Sequence, residues 1–189
     1  IGKDSSVLLH LFRKLFYPSK VPVKFLHIDT GWKFSSMIKF RDEIADKYSL
    51  NLEVYKKNNN DSITPFNNEK YTDIQKTQAL KEALNLGNYD LVYGGARRDE
   101  EVSRSKERVV SHRNEHHSWD PKKQRIEPWL IFNLEKLKDE SFRVFPLSNW
   151  TELNIWEYIK KENIEIVPLY FSKKRTVVKR GAQLFLLDD

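Results

Sequence analysis

Residues 90–98 read DLVYGGARR, a short apolar run followed by two glycines, an alanine and two arginines. The apolar run is typical of a buried strand, and the glycines mark the point where that strand becomes a loop. Glycine lets a ligand approach the backbone closely, and adjacent arginines can hold a polyanion through paired hydrogen bonds. The segment therefore predicts a strand whose carboxyl end binds an anionic ligand, through Gly94, Gly95, Ala96, Arg97 and Arg98.

Helical and strand patterns alternate on both sides of this segment. Helical periodicity covers residues 4–17, 35–48, 71–86 and 152–162. We expect Gly87 to end the third helix and Thr151 to cap the fourth. Residues 97–143 are highly charged and weakly periodic, which predicts a long excursion over the surface. Short strand patterns cover residues 24–28, 50–55, 90–93 and 142–145, and an Asn-rich loop is predicted over 56–68. This alternation predicts an α/β fold, with a parallel sheet and helices on both faces. In such sheets ligands bind beyond the carboxyl ends of the strands.

A second candidate site lies at the beginning of the chain, where residues 2–6 read GKDSS and lead directly into a helix. The N–H groups at a helix start attract phosphate, Lys3 adds a positive charge, and two hydroxyls can donate hydrogen bonds. This is not a Walker A loop, because Asp4 follows the lysine where that motif requires Ser or Thr. The segment Gly2, Lys3, Asp4, Ser5 and Ser6 is thus a candidate phosphate loop or, alternatively, an ordinary polar helix start.

A third strand end carries Asp29, Thr30 and Gly31. Polar side chains at that position can contact the base or the ribose of a nucleotide. Either Asp29 or Asp4 could position Mg²⁺, although neither is assigned to the metal. The alternative for Asp29 is a simple turn in which its carboxylate caps the glycine that follows.

A basic stretch covers residues 104–113, and its side chains allow two interpretations. Arg104 could contact an oxyanion, or the stretch could be a solvated surface in which glutamates neutralise the arginines. Three histidines, His112, His116 and His117, lie in or just after this stretch, and His112 and His116 have the spacing of zinc ligands on a helix, but no cysteine is present and no third ligand is evident. We therefore do not predict a zinc site.

The amino-acid composition excludes several classes of protein and favours others. The 189 residues carry 33 basic and 27 acidic side chains, a net charge of +6 that favours an anionic partner. The absence of cysteine excludes thiol nucleophiles, disulfides and iron–sulfur clusters within these residues, and favours a reducing compartment. No apolar run is long enough for a membrane span. We expect a single nucleotide-binding catalytic domain over residues 1–189, part of a longer protein with a strand before it and a tail after it.

Several blocks carry a family resemblance when taken together and in order. They are IGKDSS at 1–6, HIDTGWKF at 27–34, TDI at 72–74, GGARRDEE at 94–101, SR at 103–104 with KER at 106–108, WDP at 119–121 and FPLSNWTE at 145–152. Together they resemble the family of bacterial sulfate adenylyltransferase small subunits and phosphoadenylylsulfate reductases. The match spans nearly the whole chain. The blocks at 94–101 and 145–152 are specific, whereas the phosphate loop alone is not.

The resemblance implies an adenine nucleotide α-hydrolase-like fold with a pyrophosphate loop. It implies that ATP and sulfate react to give adenylyl sulfate and pyrophosphate in the cytoplasm, with Mg²⁺ present and a GTPase large subunit as partner. Neither nucleic acid nor membrane is expected as a partner. By position, residues 2–6 would bind the ATP phosphates and residues 29–31 would lie near the nucleoside. Lys3, Arg97 and Arg98 would act in catalysis, and Arg97, Arg98 and Arg104 are the candidates for sulfate.

Three alternatives remain open on the sequence. A phosphoadenylylsulfate reductase needs a thiol that these residues lack. A tRNA-modifying enzyme with the same loop is compatible with the positive charge, and its RNA binding would weaken steeply as salt rises. A binding module would retain nucleotide affinity without turnover.

Overall fold

The structure is a computed structural model that describes residues 2–57, 70–100, 104–120, 122, 136–181 and 183–187. Most of the predicted Asn-rich loop lies outside the described residues, as do Glu101, Ser103 and Pro121 of the sequence blocks. The chain divides into two compact units. The first unit comprises Val21–Ala79 and Ile166–Asp189, and the second comprises Gly2–Lys20 and Leu80–Glu165. The expectation of a single domain stays a prediction.

The first unit is built on a pair of parallel strands. β1 (Lys24–Asp29) and β2 (Asn51–Lys56) pair in register along their full length, and α2 (Ser35–Lys47) connects them. A helical connection between parallel neighbours is the unit that the alternating pattern predicted. The remaining elements are a π-helical segment (Asp73–Gln78), a short 3₁₀ helix (Pro168–Tyr170) and an antiparallel hairpin of β6 (Val177–Arg180) and β7 (Gln183–Leu186).

The second unit contains a three-stranded sheet with the strand order β3, β5, β4. β3 (Leu91–Tyr93) runs parallel to β5 (Ser141–Val144), and β4 (Val110–Arg113) pairs with β5 in the antiparallel direction. The carboxyl ends of β3 and β5 and the start of β4 therefore share one edge of the sheet. The helices are α1 (Lys3–Phe16), α3 (Ala79–Gly87) and α4 (Glu152–Glu162).

The core of the second unit is apolar, as the sequence stripes require. Its most buried side chains come from α1, β5, α4 and the loop between them: Val7, Phe142, Leu147 and Ile155. The helix α4 begins with a capping box, in which the Thr151 hydroxyl accepts from the N–H of Asn154 and the Asn154 side chain accepts from the N–H of Thr151. The predicted start of this helix at Thr151 is confirmed, and the cap fixes the first turn of α4 beside the carboxyl end of β5.

Three local features differ from the sequence expectations. β4 lies within a region predicted as a surface excursion, because its four residues are too few to show a strand period. The helix predicted over 71–86 contains a π-helical segment before α3. It was expected to end at Gly87, but Asn88 adopts the left-handed conformation, with φ of 46°. Gly87 is needed for another reason, since a Cβ there would lie 2.0 Å from the Tyr89 ring.

None of the helices in the described part of the chain is both long enough and apolar enough to cross a bilayer.

Candidate functional site

The glycines after β3 bring this strand end against the beginning of α1. A Cβ on Gly95 would lie 3.2 Å from the Cβ of Asp4 and 3.3 Å from its carbonyl carbon. A Cβ on Gly94 would lie 3.0 Å from the Phe145 ring. A side chain at Gly95 would press on the start of α1, so the backbone at Gly95 closely approaches the candidate phosphate loop, whereas Gly94 lies against Phe145.

Arg97 joins the same two segments through its guanidinium group. It donates to Asp4 Oδ1, to Glu152 Oε2 at 2.6 Å and to Asp99 Oδ1 at 3.1 Å, and it is only 2% exposed. The three carboxylates come from the start of α1, the loop after β3 and the start of α4. A buried arginine with three acidic partners holds these segments in one arrangement, because moving any one of them away would break a charge-assisted hydrogen bond to a guanidinium that is shielded from water.

Lys3 and Asp99 complete this group of charges, which we call the paired network: Lys3, Asp4, Arg97, Asp99 and Glu152. Lys3 Nζ lies 3.2 Å from Asp4 Oδ2 and 3.2 Å from Glu152 Oε2. Asp99 Oδ2 accepts from the backbone N–H of Glu152 at 2.9 Å, and the Trp156 indole donates to Glu152 Oε1 at 2.8 Å. Every charge of the network thus has an opposite charge in contact.

The network lowers the pKa of two of its carboxyl groups. Burial raises the pKa of Asp99, but hydrogen bonds from Arg97 and from the backbone of Glu152 outweigh it, so the pKa falls below its ordinary value. For Glu152 burial is again opposed, here by hydrogen bonds from Trp156 and Lys3, and the net pKa shift is downward. Both groups are therefore charged at neutral pH.

The helix that follows the candidate phosphate loop begins at a glycine. Gly2, in the N-cap position, has extended backbone and no side chain that could cap the first turn, and the Asp4 carboxylate contacts Arg97 and Lys3. Ser5 is exposed and Ser6 is partly exposed. The first N–H groups of a helix have no partner within the helix, so this start can donate to an anion.

Arg98 points away from the paired network. Its backbone N–H donates to the carbonyl of Ser148, Nε donates to the carbonyl of Glu107 at 2.9 Å, and Nη1 donates to Asn149 Oδ1 at 2.6 Å. Arg98 therefore connects the end of β3 with the loop after β5 and with the loop before β4.

A second group of arginines lies beside Glu107, and we call it the arginine cluster: Arg104, Arg113 and Arg143. Glu107 is 3% exposed and forms an ion pair with Arg113 Nη2; its other carboxylate oxygen lies 3.6 Å from Arg104 Nη1. Burial and the charge of Arg143 lower the pKa of Arg113 to about 10, and Glu107 opposes this shift. Sequence reasoning selected Arg104 from this group and missed Arg113 and Arg143.

The third predicted strand end, residues 29–31, belongs to the first unit. The Asp29 carboxylate accepts from the N–H of Gly31 at 2.8 Å, which is the turn considered from the sequence. Gly31 has φ of +76°, a conformation that glycine adopts without strain. The buried Tyr71 hydroxyl donates to the carbonyl of Thr30 at 2.5 Å and ties this turn to the segment before the π-helix.

The three histidines considered for zinc have other partners. His112 Nε2 lies 3.0 Å from Glu140, His116 lies 3.3 Å from Glu115, and His117 lies 2.7 Å from Asn85. In the part of the chain that the structure describes, no three His, Asp or Glu side chains come together as a metal site.

Two acidic residues of the paired network were not selected from the sequence. Asp99 and Glu152 each follow the carboxyl end of a predicted strand, Glu152 at the first position of the helix that Thr151 caps. That placement is the signal that could have identified them, because the carboxyl ends of parallel strands meet at one edge of a sheet.

Comparisons with solved structures show the fold. The chain is similar to a phosphoadenylyl-sulfate reductase from Candida auris, with 18% identity, a TM-score of 0.60 and coverage of 89% of this chain and 72% of that one. It is also similar to an FMN adenylyltransferase from Candida glabrata, with 20% identity, a TM-score of 0.57 and coverage of 89% and 49%. The predicted α/β, adenine nucleotide α-hydrolase-like fold is confirmed.

Comparisons of sequence give relatives of higher identity. Proteins named sulfate adenylyltransferase subunit 2, from Shewanella sp. (strain W3-18-1) and Aliivibrio fischeri (strain MJ11), are 58% identical over the whole of this chain, which spans 64% of their length. The sequence profile of the phosphoadenosine phosphosulfate reductase domain matches residues 1–177. The resemblance seen in the sequence blocks is therefore confirmed, and the chain belongs to the phosphoadenosine phosphosulfate reductase domain family.

Proposed function

We propose that this chain transfers AMP from ATP to sulfate, giving adenylyl sulfate and pyrophosphate, as the catalytic part of a sulfate adenylyltransferase. The observation that carries the proposal is the 58% identity, along the entire chain, with proteins named as subunit 2 of that enzyme. The contact of Arg97 with Asp4 supports it, because it brings the candidate phosphate loop to the glycines after β3.

The chemistry of this reaction suits the side chains of the site. Sulfate is deprotonated at neutral pH, so its attack on the α-phosphorus needs neither a general base nor a protein nucleophile. The barrier comes from repulsion between two anions and from charge that grows on the leaving pyrophosphate. Fixed cations and oriented N–H groups reduce both terms. An in-line transfer of this kind is consistent with a chain that contains no cysteine.

We assign the roles as follows. Gly2 to Ser6 bind the phosphates of ATP, with Lys3 as the nearest charge, and Gly94, Gly95 and Ala96 leave room for the nucleotide. Asp29, Thr30 and Gly31 lie near the nucleoside. Arg98 and Arg104 are the candidates for contact with sulfate. Arg97, whose guanidinium contacts three carboxylates, acts by positioning the loop.

Mg²⁺ enters this proposal as part of the Mg–ATP substrate. Mg²⁺ is commonly held by substrate phosphates, one or two carboxylates and water. Asp29 fits such a role better than Asp4, since Asp29 uses Oδ1 in its turn, whereas both oxygens of Asp4 contact cations.

A partner supplies energy in this proposal. The anhydride in adenylyl sulfate is higher in energy than the linkage broken in ATP, so forward flux needs a coupled reaction. The relatives are named as a subunit, which supports the existence of a second chain. We propose that this partner chain is a GTPase and acts in the cytoplasm. Omission of the GTPase should lower the steady-state yield of adenylyl sulfate; an unchanged yield would refute the coupling.

The test is pyrophosphate release from ATP by the complete protein and its partner, with and without sulfate. We expect release that saturates with sulfate and is insensitive to added tRNA. Release that requires tRNA would favour a tRNA-modifying enzyme, and nucleotide binding without release would favour a binding module. A thiol-dependent reduction of adenylyl sulfate would favour the reductase reaction.

A further inference from the structure

We propose that the arginine cluster, with Ser111, binds sulfate. This inference rests on the proposed function and deepens it, because it names the side chains that would hold the second substrate.

The register of β4 and β5 places Ser111 and Arg143 on one face of the sheet. The two residues pair directly across the antiparallel strands, so their side chains leave the sheet on the same side. Arg113 lies two residues after Ser111 and therefore shares that face. His112 and Phe142 pair on the opposite face, where their rings are 5.5 Å apart. One face of this strand pair is thus polar and rich in hydrogen-bond donors.

Two buried donors in the cluster lack partners among the described residues. Ser111 is fully buried and its hydroxyl has no hydrogen-bond partner in this part of the chain, and neither does Nε of Arg113, which is 5% exposed. Buried polar groups in proteins are nearly always hydrogen-bonded, so each exception requires a reason. A ligand that accepts hydrogen bonds on this face would satisfy both groups.

The arginine cluster carries more positive than negative charge. Among the described residues, Glu107 supplies the negative charge that acts on both Arg113 and Arg143. Burial lowers the pKa of Arg143, and repulsion from the charge of Arg104 lowers it further. An anion with two negative charges would offset this repulsion.

The position of the arginine cluster relates it to the candidate ATP site. Glu107 and Arg104 lie in the loop before β4, at the edge where β3 and β5 have their carboxyl ends, since the N–H of Phe145 donates to the carbonyl of Val109. Arg98 donates to the carbonyl of Glu107, and its neighbour Arg97 contacts the phosphate loop. Two consecutive residues therefore connect the arginine cluster with the candidate ATP site.

The chemistry of the donors favours sulfate over phosphate. Arginine and the Ser111 hydroxyl can all donate, and sulfate at neutral pH offers only acceptor oxygens. Phosphate retains a proton for part of the time and then needs an acceptor, but the Glu107 carboxylate already contacts Arg113 and Arg104.

The experiment measures KM for each substrate with the complete protein and its partner. Pyrophosphate release is followed with sulfate varied at saturating ATP, and with ATP varied at saturating sulfate. Arg143→Gln should raise the sulfate KM at least tenfold and change the ATP KM less than twofold. Arg143→Lys should restore part of the difference. The matched control is Arg108→Gln, which removes the same charge at an exposed position beside Glu107 and should leave both constants unchanged.

A second variant guards against misfolding. Ser111→Ala removes a hydroxyl that has no partner among the described residues, so it should fold and still raise the sulfate KM severalfold. An increase confined to the ATP KM would assign the cluster to a nucleotide phosphate and overturn the proposal. An unchanged sulfate KM in folded Arg143→Gln and Ser111→Ala, or an equal shift in Arg108→Gln, would also overturn it.

A binding measurement separates this inference from the proposed function. Sulfate stabilises proteins generally, so the change in Tm is measured in sodium sulfate and in sodium chloride at equal ionic strength, for wild type and for Arg143→Gln. A sulfate-specific rise in the wild type that the variant lacks supports the site even if no adenylyl transfer is found. Equal rises in both proteins would overturn the site and leave the proposed function untouched.

Discussion

The paired network and the arginine cluster lie in the same unit but differ in their balance of positive and negative charge. In the network, Arg97 meets three carboxylates and Lys3 meets two, so positive and negative charges are in direct contact. In the cluster, three arginines share the single carboxylate of Glu107, and burial together with the charges of Arg143 and Arg104 lowers the pKa of Arg113. Removing one member of a buried ion pair destabilises a fold, whereas an excess of buried positive charge can be offset by a bound anion. We propose on this basis that the network positions the candidate phosphate loop and that the cluster binds a ligand.

The largest effect is expected from the centre of the paired network. Arg97→Met would leave Asp4, Asp99 and Glu152 without their common partner, and loss of one member of a buried ion pair costs about 3–5 kcal/mol. Urea unfolding measures the change in the free energy of unfolding. Arg97→Lys, which keeps the charge but not the three-way geometry, should lose less. A cost below about 1 kcal/mol for the methionine variant would show that the network does not hold these segments.

His27 extends the comparison of buried charges to a group that, unlike an arginine, can lose its charge in the ordinary pH range. Its Nε2 is buried and has no hydrogen-bond partner in the described part of the chain, and burial, together with the charge of Arg41, lowers its pKa to about 4. Between pH 6.5 and about 4 the unfolded chain binds a proton that the folded chain does not. The free energy of unfolding should therefore fall with falling pH across that window, by roughly 2 kcal/mol after allowance for partial exposure.

The measurement is urea unfolding at a series of pH values for the wild type and His27→Gln. The variant should have a flatter pH dependence over this window. His116→Gln, at a position that is 77% exposed, is the control and should follow the wild type. The same slope in all three proteins would contradict the assignment to His27.

A smaller effect is expected from the cap that places Glu152 in the network. Thr151→Ala removes the hydroxyl that accepts from Asn154 and should cost about 1 kcal/mol, whereas Thr151→Ser keeps it and should cost little. Thermal unfolding of both variants provides the measurement. Equal losses would mean that the threonine methyl group, rather than the cap, stabilises the start of α4.

The smallest effect on stability is expected in the arginine cluster, and it has the opposite sign. Arg143→Gln removes a cation that repels Arg113, so in chloride buffer the free energy of unfolding should stay unchanged or rise by about 0.5 kcal/mol. Urea unfolding without sulfate measures it. A loss above about 1 kcal/mol would mean that Arg143 is paired in the folded protein, and the contrast between the two regions would fail.

Much of the fold could be predicted from the sequence because it is encoded locally. The strand that ends in Gly94 and Gly95 and the helix that begins after Thr151 are determined by residues close together in the chain. The partners of Arg97 are not, since Asp4 lies 93 residues away from it and Glu152 lies 55 residues away. Sequence patterns therefore indicate the arginine as a candidate site residue but not that three carboxylates contact its guanidinium.

Arg143 illustrates the other limit. It lies in β5 between Phe142 and Val144, so the alternating pattern predicted the strand, but the polar position within it gave no indication of function. Its importance follows from the register with Ser111, and β4 is too short to be predicted. Pairing between distant short strands is the information that periodicity does not contain.

The most direct test of the proposed reaction is its reverse, since ATP formation from adenylyl sulfate and pyrophosphate is downhill and needs no energy from GTP. The complete protein with its partner is supplied with adenylyl sulfate and pyrophosphate, and ATP is measured over time. We predict that ATP accumulates and that Gly95→Ala, which places a Cβ 3.2 Å from Asp4, slows its formation. A folded protein that binds ATP yet forms none from these two substrates would contradict the proposed function.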